Sequence, residues 1–307
     1  MDENITPENQ ELIDRANIET KQKNWHDAAE TLATLYEKMQ TFKVNYRLVT
    51  ALFMDEQYQL ASSYADDFLL EYLDDESNFR MIVALAVQNQ NFVYAQQLAV
   101  LWDDLDVVDE VLKEIRQAEE RAQENMKATL DTVARQFYHM SDYDLLAQRD
   151  RYESARHLPV AQFIVGAKFL LVDPYALPII RATLLEDLQK LQIDGVVKYR
   201  WLDDEIYTIQ LSDVMPLTSS AVFEAAAATL ESRLGQEDPI ALEMLAHQMR
   251  IELTLLYPRV DIAITDIEKW VDNSIAHYYG RSKPDEPENQ RQWHEKINAL
   301  TESFFEN

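Results

Sequence analysis

Apolar and small residues return along the first hundred positions at intervals of 33 and 34. The marker is an aromatic residue three places ahead of an alanine: Trp25 with Ala28, Tyr58 with Ala61, and Phe92 with Ala95. An amide residue precedes each aromatic, at Asn24, Gln57 and Asn91. A three-residue step puts each pair on one face of a helix. A period of this length fits a helix, a turn and a second helix, repeated. Ala16, Val49 and Val83 take the matching place in each leading helix, where small side chains let two backbones approach. Leu32, Ala65 and Ala99, then Leu35, Phe68 and Trp102, follow in the trailing helices. Trp25, Tyr58, Phe92, Ala28, Ala61, Ala95 and Trp102 therefore read as the residues that pack the repeats together.

Beyond residue 102 the pattern changes twice. Leu105, Val108, Leu112, Ile115, Ala122, Met126, Val133 and Phe137 follow three- and four-residue steps, predicting one long helix over 103–138. A domain boundary is expected near 138–143. Farther on, Val197, Tyr199 and Trp201 alternate with polar residues, as do Tyr207, Ile209 and Leu211, which predicts a β-hairpin over about 196–211. Sharing one apolar face would set Trp201 opposite Tyr207, with Asp203-Asp204-Glu205 as the turn. Thr6-Pro7, Asp173-Pro174 and Asp238-Pro239 read as helix starts, a capping side chain followed by proline at the first helical position. Helices are also expected over 219–234, 239–257 and 260–279. Lys283-Pro284-Asp285-Glu286-Pro287 reads as a linker. A last helix over 287–305 should dock through Trp293, Ile297, Leu300 and Phe304.

The resulting fold class is mainly α. A helical-repeat array, an α-solenoid, over 1–102 leads through a connecting helix at 103–140 to a helical domain over 141–307 that carries one hairpin. Four glycines in 307 residues suit this reading, because phosphate-binding loops and many tight turns need more. The absence of cysteine excludes disulfides and thiolate chemistry. Net charge is −27, from 55 acidic and 28 basic residues. Such a surface repels nucleic acid and anionic lipid and attracts basic partners in a salt-dependent way. MDENITPENQ has no leader pattern and no apolar run is long enough to span a bilayer, so the expected location is the cytoplasm.

On these residues the first third resembles tetratricopeptide-repeat (TPR) proteins. The second half is similar to a segment that accompanies such repeats in uncharacterised proteins of low-GC Gram-positive bacteria. That likeness runs through Asp173-Pro174, Pro178-Ile179-Ile180-Arg181, Leu184-Leu185-Glu186-Asp187-Leu188, the hairpin to Leu211, and Asp238-Pro239 to Tyr257-Pro258. The resemblance implies fold and broad class only. Co-chaperone TPRs that grip a C-terminal carboxylate use lysine, asparagine and arginine on their inner helices. The matching places here hold Ile13, Asn17, Arg47, Ser77 and Met81, so that function is not expected.

Catalytic chemistry finds little support. The six histidines (His26, His139, His157, His247, His277, His294) form no HExxH pair. His139 with Asp142 and Asp144 reads as a solvated loop rather than a metal site. Adjacent acids such as Asp66/Asp67 and Asp203/Asp204 point apart on their elements and mark wet faces. No nucleophile elbow, P-loop or dinucleotide fingerprint occurs. Tyr199 and Trp201 interleaved with Lys198 and Arg200 have the look of a base-stacking platform, yet a hairpin packing its aromatic face on helices explains them as well.

The function expected is a non-catalytic interaction module, a scaffold or adaptor, with no cofactor and no metal. Its partner would be a protein or peptide, possessing basic character, held on the leading helices through Ile13, Asn17, Tyr46, Arg47, Thr50 and Arg80. Two alternatives stay open at this point. One is a peptide-sensing receptor acting through protein contacts. The other is a hydrolase in the C-terminal domain, which would need a cleft around His157, Asp173 or His247.

Overall fold

A computed structural model describes residues 6–282 and 284–305, with side chains through residue 301. It is mainly helical with one two-stranded sheet. Lys283 and the Phe304 side chain, part of the expected linker and docking stripe, lie outside the described residues. Contacts divide the chain into two compact units: one runs to Lys127 and takes in Arg156–Val160, the other holds Ala128–Ala155 and everything from Ala161. The division therefore falls earlier than the boundary expected near 138–143.

The first unit is a run of short helices, each packed on its neighbour in sequence: α1 (Pro7–Lys21), α2 (Trp25–Lys38), α3 (Phe42–Met54) and α4 (Tyr58–Ala65). A 3-10 turn and the one-turn α5 (Leu69–Tyr72) come next, followed by α6 (Glu76–Gln88), α7 (Phe92–Ala99) and the start of α8 (Leu105–Tyr138). Thr6 caps α1 by accepting from the Asn9 amide, and Asp75 caps α6 by accepting from the Ser77 amide. Ala16, Ala28, Val49, Ala61 and Ala95 are fully buried, and Val83 nearly so. Phe92 is buried too, whereas Trp25 and Tyr58 are half-buried against the same core. Trp102 stacks on Phe79 at 4.7 Å. Asn45, fully buried, donates to the Tyr64 carbonyl and accepts from the Tyr72 hydroxyl, so neither end of its amide is left dry.

Helix α8 starts at Leu105, two residues inside the expected 103–138, and is not one straight rod. Met126 leaves helical geometry (φ −130°, ψ 24°), one residue before the first unit ends. Arg156–Val160 return to the first unit, where the Val93 amide donates to the Arg156 carbonyl and the Val160 amide to Glu119.

In the second unit, α9 (Leu145–Ala155), α10 (Val160–Leu170, entering from Ala161) and α11 (Pro178–Lys190) precede β1 (Val196–Arg200) and β2 (Ile206–Gln210). The remaining helices are α12 (Ala221–Leu234), α13 (Pro239–Leu256), α14 (Val260–Ala263), α15 (Ile267–Tyr278) and α16 (Glu288–Phe305). Asp238 caps α13 as its sequence implies, accepting from the Ala241 amide at 3.0 Å. Asp173-Pro174 does not start a helix. Its carboxylate is taken by the Ser141 hydroxyl and the Tyr175 amide, and the helix begins four residues later at Pro178. The expected helix over 260–279 is broken between α14 and α15. Gln290 of α16 accepts from the Thr265 and Asp266 amides there, and Asp266 starts a new helix by accepting from Lys269.

Val197, Tyr199 and Trp201 are buried on one sheet face, as the alternation requires. The register differs from the expected one by two residues. Tyr199 opposes Tyr207 and Trp201 opposes Glu205, so Leu202–Asp204 form the turn with Asp204 at φ 67°. A slip of two keeps every side chain on its own face, and a left-handed third residue suits a three-residue loop. The Trp201 indole donates to the Leu256 carbonyl and the Tyr199 hydroxyl to the Tyr257 carbonyl, joining hairpin to α13. Helix α16 docks on this unit: Ile297 is fully buried and Trp293 lies 4.7 Å from Trp201. Among the described residues no helix is long and apolar enough to cross a membrane.

Candidate partner-binding face

Three turns of the same construction set the geometry of the first unit. Lys23, Glu56 and Gln90 each take a left-handed backbone, with φ of 58°, 60° and 57°. The next amide then reaches back six positions inclusive: Asn24 to the Glu19 carbonyl, Gln57 to Leu52 and Asn91 to Ala86, each at 2.9 Å. Trailing helices α2, α4 and α7 all start on the following aromatic residue. The period read from side chains is thus also a period in the backbone.

With the turns alike, side chains one repeat apart on the leading helices touch. The Arg47 guanidinium of α3 donates to the Asn17 amide oxygen of α1 at 2.8 Å. The Thr50 hydroxyl of α3 lies 3.8 Å from the Met81 sulfur of α6 and donates to the Tyr46 carbonyl at 2.7 Å. Arg80 of α6 reaches Glu110 of α8 at 2.8 Å. The six candidate residues therefore sit on consecutive leading helices: Ile13 and Asn17 on α1, Tyr46, Arg47 and Thr50 on α3, and Arg80 on α6. Asn17 is exposed and the other five are half-buried.

The charge on this face differs from what the sequence suggests. Arg80 is held by Glu76 at 2.8 Å and Glu110 at 2.8 Å, with Glu114 at 4.0 Å, and hydrogen bonds to the first two raise its affinity for its proton. One cation among three carboxylates leaves that end acidic. Among the described residues Arg47 bonds only to a neutral partner, and burial lowers its pKa from the ordinary arginine value. Tyr46 lies within an aromatic group, 6.1 Å from Phe42 and 6.2 Å from Tyr72. Glu110 and Glu114 were missed as members of the face, and Met81 was placed on an inner helix without being counted among the contacts. Met81 and Glu110 lie 31 and 30 positions beyond Thr50 and Arg80, short of the 33- and 34-residue period, so adding a full period does not reach them.

The other chemical candidates stay apart. His139 lies 3.7 Å from Asp142, both exposed, beside a cavity of about 570 Å³ that Asp173 and Tyr175 also line. His157 belongs to the first unit, where its Nδ1 is 3.2 Å from the Gln90 carbonyl, and His247 is exposed on α13. Among the described residues no three histidine, aspartate or glutamate side chains converge as metal ligands. Tyr199 and Trp201 are 2% and 1% exposed, which leaves no ring face for a base to stack on. Comparison with family models, with curated proteins and with solved structures finds no match for this chain.

Proposed function

We propose that the first unit is a TPR-like array that captures a segment of a partner protein on the leading-helix face. The observation that supports the reading is the threefold turn at Lys23, Glu56 and Gln90, with its one-period contacts Asn17–Arg47, Thr50–Met81 and Arg80–Glu110. Stacked repeats of this sort offer neighbouring helices as one surface, and extended surfaces hold extended ligands. The carboxylates around Arg80 favour a lysine or arginine of the partner, while Tyr46 and Ile13 offer apolar area beside Arg47. Tyrosine and arginine in such places supply much of an interface's affinity. In this reading the protein is a scaffold or adaptor without catalysis.

The test is capture of the native partner by wild type, Arg47→Glu and Glu110→Lys, with thermal unfolding as the control for folding. Arg47→Glu sets a carboxylate against Asn17, and Glu110→Lys sets a second cation beside Arg80. Each should lower capture about tenfold or more, and wild-type capture should weaken with salt. Equal capture by all three proteins removes this face from consideration.

A further inference from the structure

The two edges of the hairpin are not alike. The Trp201 amide donates to the Glu205 carbonyl at 3.1 Å and the Leu211 amide to the Gly195 carbonyl at 3.0 Å, so odd-numbered residues of β2 face β1. Ile206, Thr208 and Gln210 therefore turn their N–H and C=O groups to the opposite side. On β1 the corresponding edge is used, since the Arg200 amide donates to the Leu171 carbonyl at 2.9 Å. On β2 no backbone hydrogen bond to Ile206, Thr208 or Gln210 occurs at that edge among the described residues.

Exposed edges are normally blunted by lysine, proline or a bulge. Strand β1, Val-Val-Lys-Tyr-Arg, carries two cations, whereas β2, Ile-Tyr-Thr-Ile-Gln, carries no charge and no proline. Ile206 is 49% exposed and Thr208 is exposed beside it. The edge also borders a cavity of about 530 Å³. Thr208 and Gln210 line one side, and Met215, Val222, Pro258 and Val260 supply apolar lining. Asp213 and Asp261 are its charged lining residues. Lys198, opposite Thr208 in register, does not line it, and the Arg259 guanidinium is turned onto the Tyr207 ring at 3.8 Å.

We propose that the free edge of β2 receives an extended segment of another protein as a third strand, seating an apolar side chain in the cavity and a basic one against Asp213 and Asp261. Main-chain hydrogen bonds would supply affinity, and the alternate side chains would supply selectivity. A second copy of this chain fits poorly, because pairing β2 with β2 brings like carboxylates together in a chain of net charge −27. This surface belongs to the second unit and does not depend on the leading-helix face of the first.

The experiment uses the full chain and a fluorescein-labelled threonine-rich hexapeptide with valine and lysine two positions apart, so that both side chains face the cavity. Three comparisons accompany it: the same peptide N-methylated at alternate residues, the same peptide with glutamate in place of lysine, and the protein variant Thr208→Pro. Proline there removes an outward amide without touching the ladder, and edge strands tolerate it. The expected result is saturable anisotropy with the lysine peptide, weakened about tenfold by N-methylation and by Thr208→Pro. The glutamate peptide should not bind, and hydrogen exchange at the Thr208 and Gln210 amides should slow on binding. Hydrogen exchange reads the wild-type chain, so it decides even if Thr208→Pro fails to fold. The proposal is overturned if the lysine peptide fails to bind, or if it protects amides elsewhere while Thr208 and Gln210 are unchanged. It is likewise overturned if Thr208→Pro folds and binds the peptide undiminished, or if wild type self-associates through β2 and Thr208→Pro abolishes that.

Discussion

Three residues other than glycine hold the left-handed conformation at the turns between helices of the first unit, and relieving them makes a sharp test. A side chain at such φ values costs roughly 1–2 kcal/mol, and the greater unfolded-state freedom of glycine takes back about 0.5–1 kcal/mol. Lys23→Gly and Glu56→Gly should therefore each stabilise the unit by about 0.5–1 kcal/mol. Both side chains are exposed and make no hydrogen bond or ion pair among the described residues, so little else changes. Gln90 is the poorer choice, since its amide lies 3.5 Å from the Met126 sulfur. For a unit of this size 1 kcal/mol corresponds to a Tm shift of roughly 3–5 °C. The reciprocal control is Gly280 in the second unit, with φ 63° and the same turn hydrogen bonds. A Cβ built there meets nothing within 4 Å, so Gly280→Ala reports backbone strain alone and should destabilise by about 1 kcal/mol. Calorimetry separates the transitions of the two units, and hydrogen exchange at the Asn24 and Gln57 amides reads each turn directly. If Lys23→Gly and Glu56→Gly lower Tm while Gly280→Ala leaves it unchanged, the geometry of these turns has been misread.

Further tests address packing and protonation. Gly166→Ala would set a Cβ 2.5 Å from the Phe137 ring, which is fully buried and stacked on Phe163, so a loss of about 1–3 kcal/mol in chemical denaturation is expected, less whatever alanine returns in helix propensity. Glu252 is fully buried, and desolvation raises its carboxyl pKa against the opposing pull of hydrogen bonds from Trp270 and Gln248. As pH rises past the unfolded-state pKa, the unfolded chain loses this proton while the folded chain keeps it, so wild-type stability falls until the folded group ionises too. Glu252→Gln should flatten that decline above the ordinary carboxylate pKa, and an unchanged slope in Tm against pH there would refute the assignment. Asn45→Ala deprives the Tyr72 hydroxyl of its acceptor and the Tyr64 carbonyl of a donor, at a cost of about 1–3 kcal/mol read by urea titration.

The elements legible in the sequence are those whose determinants lie within a few residues of one another. Thr6-Pro7 and Asp238-Pro239 begin helices because each capping oxygen finds an amide three residues on. Asp173-Pro174 has the same local form and fails, because Ser141, 32 positions earlier, competes for the carboxylate. The break at Thr265-Asp266 has a similar origin, since the amides are satisfied by Gln290, about 25 positions later. Side-chain alternation identified the buried face of the hairpin correctly and misplaced the register by two, a displacement to which alternation is blind.

The same distinction governs the candidate surfaces. Repeat arithmetic identified residues on consecutive leading helices because helix phase repeats with the turns that Lys23, Glu56 and Gln90 impose. It did not reveal the charge beside Arg80, since Glu110 and Glu114 belong to a helix that the pattern assigned to another role. The edge of β2 was less legible still. Its residues state which side chains face the core, but whether an edge is covered depends on a neighbour such as Leu171, which covers Arg200 of β1 and has no counterpart at Thr208 among the described residues. A periodic array exposes its surface through its own period, whereas an uncovered strand edge is defined by what fails to pack beside it.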